Sequence, residues 1–436
     1  MTHSASPHRC SIVEYQEAEG VVAAASTATG VPETVIERLL TATGERLRES
    51  LRTGSPPVQV RRESVLVADV AGLLRLSPVL ELEIAPKFLG NDWQTWREDF
   101  FVLATLSRHG RVLPRSRVSA GHGARDDLAT LIGRSIAGMY WENHRRPLRT
   151  YRRRPTVEFT YDGDVDEESI AVPEADGFRQ TRVTFDRANR FNATIQAAVV
   201  ELLPEVRDSE TRKQLSRVYD ALAPQRQASQ RHRPRTVPTR ARVWQPLYDL
   251  SRQVADGFGL HLERGGLSAP GFVMNTWRCW EDLVFLGARA GASLQVSGQR
   301  PFTLGERTND GIKTSVSVCP DVTVGAESPP VLLVDAKYKG RVERGRTRMA
   351  EADIYEAMAF LEATGAERIV LAYPRIPRAG DGVPTTGACT EFERVVIGRR
   401  TIIGVELEVR GISRAGGFRA FTSGMGAGLA PWLTAP

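Results

Sequence analysis

The sequence predicts an α+β, multidomain chain: a β-rich N-terminal module, a mostly helical middle region and a C-terminal α/β domain. Three observations carry that expectation. At 436 residues the chain exceeds what one ordinary hydrophobic core organises. Its apolar pattern is strand-like in Ser64 to Val70 and Leu80 to Ile84, then turns helical in stretches such as Asp99 to Leu106 and Phe191 to Leu203. A proline- and arginine-rich piece, Ala223 to Arg240, then breaks the periodicity and marks the clearest boundary.

The first module is expected over 1–92, its two strand-like runs feeding Ala85-Pro86-Lys87. The middle region, 93–240, carries one β insertion, because Glu158 to Val165 alternates toward Gly163-Asp164 after a triple arginine. The third domain is expected over 241–412. The Gly/Ala-rich end, 413–436, is expected to be a loosely ordered tail.

Composition excludes some classes. The apolar fraction of 41% and charged fraction of 25% are those of a globular protein, and no apolar run is long enough to span a bilayer. The N-terminus lacks a basic region followed by an apolar run, so a cytoplasmic location is expected. Cys10, Cys279, Cys319 and Cys389 lie too far apart for zinc-ligand spacing. The net charge of +6 permits nucleic-acid binding without demanding it. Distribution says more: Ala221 to Tyr248 holds no acidic residue but includes Arg233 and Arg235, and a second cluster includes Arg152, Arg153 and Arg154. Either cluster suits phosphates, with a solvated arginine-rich linker as the alternative.

The chemistry-bearing pattern lies in the third domain. Ser315 to Val324 reads as one strand, with Val316, Val318, Val322 and Val324 on one face and Asp321 on the other. A turn follows, and then Val331 to Lys339 reads as a buried strand. A hairpin centred on Ser328 sets Asp321 opposite Asp335, and Lys337 shares that face. Carboxylates opposed across a ladder, with Cβ atoms about 5 Å apart, repel each other unless a positive charge lies between them. Oxygen ligands of this kind suit Mg2+, or Mn2+, which activates water and stabilises charge on a phosphodiester. Lys337 would orient that water and hold transition-state charge. The chain has only five lysines, and two of them, Lys337 and Lys339, stand in this strand. Thr276 to Ala288 reads as an amphipathic helix, with Trp277, Trp280, Val284 and Leu286 among its apolar positions and Glu281 as a candidate additional ligand, a solvated helix glutamate being the alternative. Ala350 to Thr364 reads as a helix with a stripe of Ile354, Tyr355, Met358 and Leu361, closed by Gly365, and Glu367 to Tyr373 as a buried strand.

This order resembles the PD-(D/E)xK nuclease superfamily, with Pro320-Asp321 and Asp335-Ala336-Lys337 as its two elements. More narrowly, Gly271 to Asn275 leading into Trp280 to Val284, then Pro320-Asp321, Asp335 to Lys339 and Asp353 to Glu356, resemble the McrC family, nuclease subunits of McrBC-type, 5-methylcytosine-dependent restriction systems. Glu83 to Lys87 and Gly163 to Asp166 carry the resemblance upstream. It implies a restriction-endonuclease-like C-terminal domain, with Glu281, Asp321, Asp335 and the Ala336 carbonyl on the metal and Lys337 catalytic. Glu356 stands after Tyr355 where the family tends to carry glutamine. The resemblance also implies a separate AAA+ GTPase engaged by the N-terminal module. No G-x-x-x-x-G-K-[ST] loop is present here, consistent with a motor on another polypeptide. Two copies are expected in the assembly if each supplies one metal site. Alternatives are a non-cleaving accessory that stimulates a partner NTPase, and a self-sufficient endonuclease. The second would need a base-reading module, and no helix-turn-helix or zinc finger is recognisable.

Overall fold

The computed structural model describes residues 8–433 apart from 52, 78, 91–94, 106–127, 207, 223–235, 256–270, 311, 327, 340, 344–345 and 379. The chain divides into two compact units: Met1–Ala120 with Phe258–Pro436, and Gly121–Gly257. No helix among the described residues is long and apolar enough to cross a membrane.

The first unit opens with β1 (His8–Val13), β2 (Ala18–Glu19), α1 (Val21–Thr29) and α2 (Glu33–Leu51). Next come β3 (Val58–Arg61), β4 (Ser64–Val67), β5 (Val70–Ser77), β6 (Leu80–Ala85) and α3 (Trp96–Thr105). The strand expected over Ser64 to Val70 is therefore two strands. Asp69 takes a left-handed φ of 64° and turns the chain between them. Strand β6 is buried along its length although it carries two glutamates. Arg9 pairs with Glu81 at 3.0 Å and Arg97 with Glu83 at 2.6 Å, which offsets the cost of burying those charges.

The second unit contains α4 (Leu128–Asn143), β7 (Thr150–Glu158), β8 (Asp164–Val165), α5 (Glu167–Ala171) and β9 (Phe178–Asp186). It continues with α6 (Arg190–Leu202), α7 (Ser209–Leu222), a 3-10 turn (Thr239–Trp244) and α8 (Gln245–Ala255). Asn189 caps α6, its side chain accepting from the Phe191 and Asn192 amides. The main strand of the β insertion is not Glu158 to Val165 but the preceding Thr150–Glu158, arginines included. In the order β7-β9-β8 it is an edge strand, where charged side chains are tolerated. The unit runs to Gly257, so the boundary expected at 240/241 lies beyond α8.

The chain re-enters the first unit as β10 (Gly271–Asn275), α9 (Thr276–Gly291), β11 (Val296–Gly298), β12 (Phe302–Asn309) and β13 (Ile312–Val318). Then follow β14 (Val322–Val324), β15 (Leu332–Ala336), β16 (Arg341–Glu343), β17 (Arg346–Arg348) and α10 (Glu351–Thr364). Strands β18 (Arg368–Pro374), β19 (Cys389–Ile397) and β20 (Arg400–Leu407) and helix α11 (Gly417–Leu433) complete it. Strand β10 runs antiparallel to β5 in the four-stranded sheet β1-β6-β5-β10. The expected division at 92/93 and the separation of 1–92 from 241–412 therefore fail: one backbone ladder joins the N-terminal strands to the strand that leads into α9. The N-terminal module is also not purely β, since α1 and α2 lie within it.

The central sheet has six strands in the order β11-β14-β15-β18-β20-β19, with β15, β18 and β20 mutually parallel. Leu333, Ile369, Leu371 and Tyr373 from its strands pack with Ala357, Phe360 and Leu361 of α10. Gly365 closes α10 with φ 72°. Tyr355 is 70% exposed and drops out of the expected apolar stripe, whereas Ile354, Met358 and Leu361 face the core as expected, joined by Ala357 and Phe360. Ser315 to Val324 is not one strand either. Chain β13 pairs with β12 in a separate hairpin, and β14 begins only after Pro320, which has no amide hydrogen to continue a ladder.

The Gly/Ala-rich end is not a loose tail. Residues Gly417–Leu433 form α11, which buries Phe421, Met425 and Leu429. A Cβ built at Gly291 of α9 would lie 2.6 Å from the Gly426 Cα, so absent side chains on both helices allow their backbones to touch.

Candidate active site

The register of β14 on β15, Val322↔Val334 through Val324↔Leu332, places Asp321 opposite Asp335 one step further on. The hairpin expected from the sequence is therefore present, although only its last three residues before the turn are strand. Val322, Val324, Leu332 and Val334 are fully buried on the face away from the two carboxylates and fix that register.

Asp321 Oδ2 accepts the Ala336 amide at 2.9 Å. Asp335 is 3% exposed, and the Lys337 ammonium lies 2.6 Å from its Oδ2 as an ion pair. Among the described residues no hydrogen bond of regular geometry reaches that buried oxygen. On its other side Lys337 donates to Glu356 Oε2 at 2.7 Å. Burial pushes the Asp335 carboxyl up to about 7, with the Asp321 and Glu356 charges adding to it and Lys337 opposing. Asp321 is raised by burial and by Glu281, against the Ala336 amide and a hydrogen bond shared with Asp335. Two such carboxyls titrate as a pair. Burial alone would lower the Lys337 ammonium, but Asp335 and Glu356 together outweigh it and hold it above its ordinary value.

Glu281 stands on α9, half-buried, and is pushed up to about 7 by burial, then by Asp282 and Asp335. It is thus within electrostatic reach of the pair. Among the described residues, however, no three His, Cys, Asp or Glu side chains gather closely enough to hold a metal ion. Asp321 and Asp335 are the carboxylates that come together.

Helix α9 is placed by its cap and its core face. The Asn275 side chain accepts from the Arg278 amide, and Trp280 Nε1 donates to the Ala372 carbonyl at 3.0 Å, seating the helix on β18.

Of the other expected site residues, Tyr355 points outward and Lys339 is exposed, 3.3 Å from Asp69. Arg152, Arg153 and Arg154 lie exposed on β7 of the second unit. Arg233 and Arg235 lie outside the described residues.

Sequence reasoning missed a buried polar cluster directly after Lys337. Tyr338 donates its hydroxyl to Glu14 Oε2, and Thr276 donates to Glu14 Oε1 at 2.7 Å. Lys87 donates to the Tyr338 carbonyl, with its ammonium 4.2 Å from the centre of the Tyr338 ring. Tyr15 donates to Asp69. Glu14 is fully buried and is pushed up to about 7 by that burial, against its hydrogen bonds and Lys87. The N-terminal module thus grips the residue that follows the catalytic lysine candidate. Lys87 was visible as the end of a motif, but a contact spanning 251 residues has no local signature.

The chain matches the family described as McrBC 5-methylcytosine restriction system component over residues 66–374. No curated protein matches the sequence. Among solved structures, a chain in the refined half-complex from a tetradecameric assembly of Thermococcus gammatolerans McrB AAA+ hexamers with bound McrC superposes with a TM-score of 0.66. That match has 15% identity and covers 96% of this chain and 100% of the other. A second, in the cryo-EM structure of the Thermococcus gammatolerans McrBC complex, has a TM-score of 0.47 and 14% identity, covering 66% and 89%. The likeness to the first extends over nearly the whole fold, and the family match takes in the Asp321 to Lys337 hairpin and both helices beside it. This chain belongs to the McrBC 5-methylcytosine restriction system component family.

Proposed function

We propose that this chain is the McrC-type, metal-dependent endonuclease subunit of a modification-dependent restriction system, hydrolysing DNA phosphodiester bonds when driven by a separate AAA+ NTPase. The observation that carries the reading is the facing pair Asp321 and Asp335 with the Lys337 ammonium 2.6 Å from Asp335. The order of α9, the β14–β15 hairpin, α10 and β18 supports a PD-(D/E)xK domain.

The donor set fits a hard divalent cation. Two adjacent carboxyls raised by burial, Asp335 further by Asp321 and Asp321 by Glu281, are relieved by a positive charge, and among the described residues the buried Asp335 Oδ2 lacks a regular hydrogen bond. Magnesium commonly takes only one or two protein carboxylates and keeps its remaining waters, so the pair suffices. Asp321, Asp335 and the Ala336 carbonyl would hold the ion, with Glu281 nearby. When bound, magnesium or manganese supplies an activated water and stabilises charge on the phosphate.

The chain's own residues do the rest. The Ala336 amide fixes one Asp321 oxygen and so orients that carboxyl toward Asp335. Lys337 remains protonated throughout the physiological range, so it acts as a fixed cation toward the phosphate rather than as a base. The Glu356 contact holds its ammonium in place from the solvent side.

Two further parts follow. McrB AAA+ hexamers accompany McrC in the solved complex of similar fold, which supports a partner motor here, contacted through the N-terminal module. Arg152, Arg153, Arg154 and Lys339 supply phosphate contacts, which give affinity without sequence choice. The test is cleavage of methylated and unmodified plasmid with magnesium, the partner NTPase and GTP or ATP, by wild type and by Asp335→Ala. Cleavage by the wild type alone is expected. Failure of both to cleave, with both still stimulating the partner's NTPase, would make the chain an accessory and end this reading.

A further inference from the structure

Beside the Ala336-Lys337 backbone opens a cavity of about 460 Å³, within the usual size of a pocket for a small organic ligand. Its walls come from five places: the end of α2 with Thr53 and Gly54, Asp69 at the β4–β5 turn, the first turn of α9, the Ala336–Lys339 segment, and Asp353 on α10. Asn275, Trp277 and Arg278 line it from the α9 turn, and Lys337 and Lys339 line it from the catalytic segment.

The chemistry of those walls is specific. Arg278 forms no ion pair among the described residues; its guanidinium stacks on the Trp277 ring at 5.2 Å and is exposed. The Asn275 amide oxygen accepts from the Arg278 amide, while its buried Nδ2 has no hydrogen-bond partner among the described residues. Opposing carboxylates are partly committed: Asp69 accepts from Tyr15 and pairs with Lys339, and Asp353 accepts from Tyr373 at 2.7 Å. An indole and a guanidinium without an ion pair among the described residues, at a helix N-terminus next to Lys337, match two parts of a nucleotide, its base and its phosphate.

We propose that this cavity seats the DNA nucleotide flanking the scissile phosphate, with Trp277 stacking on its base and Arg278 holding its phosphate. The proposal rests on the endonuclease reading and adds to it the residues that place the strand. Substrate enters across Lys339, and the seated nucleotide sets the scissile phosphate against the Asp321–Asp335 pair. Trp277 and Arg278 are positioning residues in this scheme, not catalytic ones.

Two measurements on the full chain with its motor partner, nucleotide and magnesium test it. In the first, cleavage kinetics of Trp277→Ala, Trp277→Phe and Arg278→Ala are compared with wild type. Trp277→Ala and Arg278→Ala are each expected to raise KM about tenfold, the order of one lost stacking or phosphate contact, with kcat changed much less, and Trp277→Phe to restore most of the loss. In the second, a 5-iodouracil-substituted DNA duplex is photocrosslinked to the Asp335→Asn protein and the adduct is mapped by mass spectrometry, with Trp277 expected as the main site. Wild-type cleavage together with an unchanged KM for Trp277→Ala and crosslinks elsewhere overturns the cavity assignment and leaves the endonuclease reading intact. Absence of cleavage by the wild type ends the endonuclease reading, and the crosslink then decides the cavity alone: an adduct at Trp277 retains it as a DNA site, and none removes it.

Discussion

Lys337 and Glu356 form an ion pair of 2.7 Å in which the lysine is largely buried and the glutamate half-exposed. The same ammonium lies 2.6 Å from the buried Asp335, so its two partners differ in what water does to them. Solvent screens the Glu356 contact, as for surface ion pairs worth about 0–1 kcal/mol, and leaves the Asp335 contact largely unscreened. Lys337→Ala is therefore expected to lower the single-turnover cleavage rate by about 10²–10³-fold, the scale of one lost transition-state donor. Glu356→Gln, which restores the residue the family tends to carry, is expected to stay within about tenfold of wild type. An equal loss in both would make Glu356 part of the chemistry.

Magnesium is expected to stabilise the wild-type protein, by about 2.7 kcal/mol at a hundredfold excess over its dissociation constant. Asp335→Asn should abolish the shift in differential scanning fluorimetry. Because Asp335 and Glu281 are both pushed up to about 7 without metal, the ligands must lose protons to bind it, and the shift should weaken as pH falls through 7. A magnesium response that survives Asp335→Asn would place the ion elsewhere.

The Glu14 cluster predicts a pH dependence of stability. Its folded-state carboxyl is raised from 4.5 to about 7, so the folded protein holds a proton that the unfolded chain has released. Stability from this group therefore falls as pH rises from about 4.5 to about 7. Lys87, lowered by burial from 10.5 to about 8, acts with the opposite sign and higher up, adding stability as pH rises between those values. Glu14→Gln should flatten the lower slope in urea titrations at pH 5 and 8. Unchanged slopes would show that Glu14 is not the group responsible.

The α9–α11 contact tolerates no added volume. Gly291→Val or Gly426→Val forces two backbones apart, and overpacking of this kind costs about 1–3 kcal/mol or more. Removing 417–433 should be worse, since it strips Phe421, Met425 and Leu429 from the core. A truncated chain with an unaltered urea midpoint would contradict the packing described for α11.

Charge reversal of Arg152, Arg153 and Arg154 should weaken DNA binding without altering site preference. Each lost phosphate contact reduces the slope of log affinity against log salt by about 0.9. An unchanged slope would return these residues to the role of a solvated edge strand.

By itself the sequence determined the local elements and the chemistry they carry. The helical spacing of Thr276 to Ala288, the closing Gly365 and the alternation about Ser328 were sufficient to set Asp321 opposite Asp335, because register follows from which side chains must be buried. It misplaced features whose cause is not local. The Gly/Ala-rich end looked loose because small residues bury little surface alone; only the glycine face of α9 makes it a packed helix. The division after residue 92 looked natural until β10 joined β5, a pairing between segments about two hundred residues apart that periodicity does not encode. The tertiary structure alone decided that Glu14, Lys87 and Tyr338 form one buried cluster, and that Trp277 and Arg278 line one cavity with Ala336 to Lys339. Periodicity says which face of an element is buried, and chain topology decides against what.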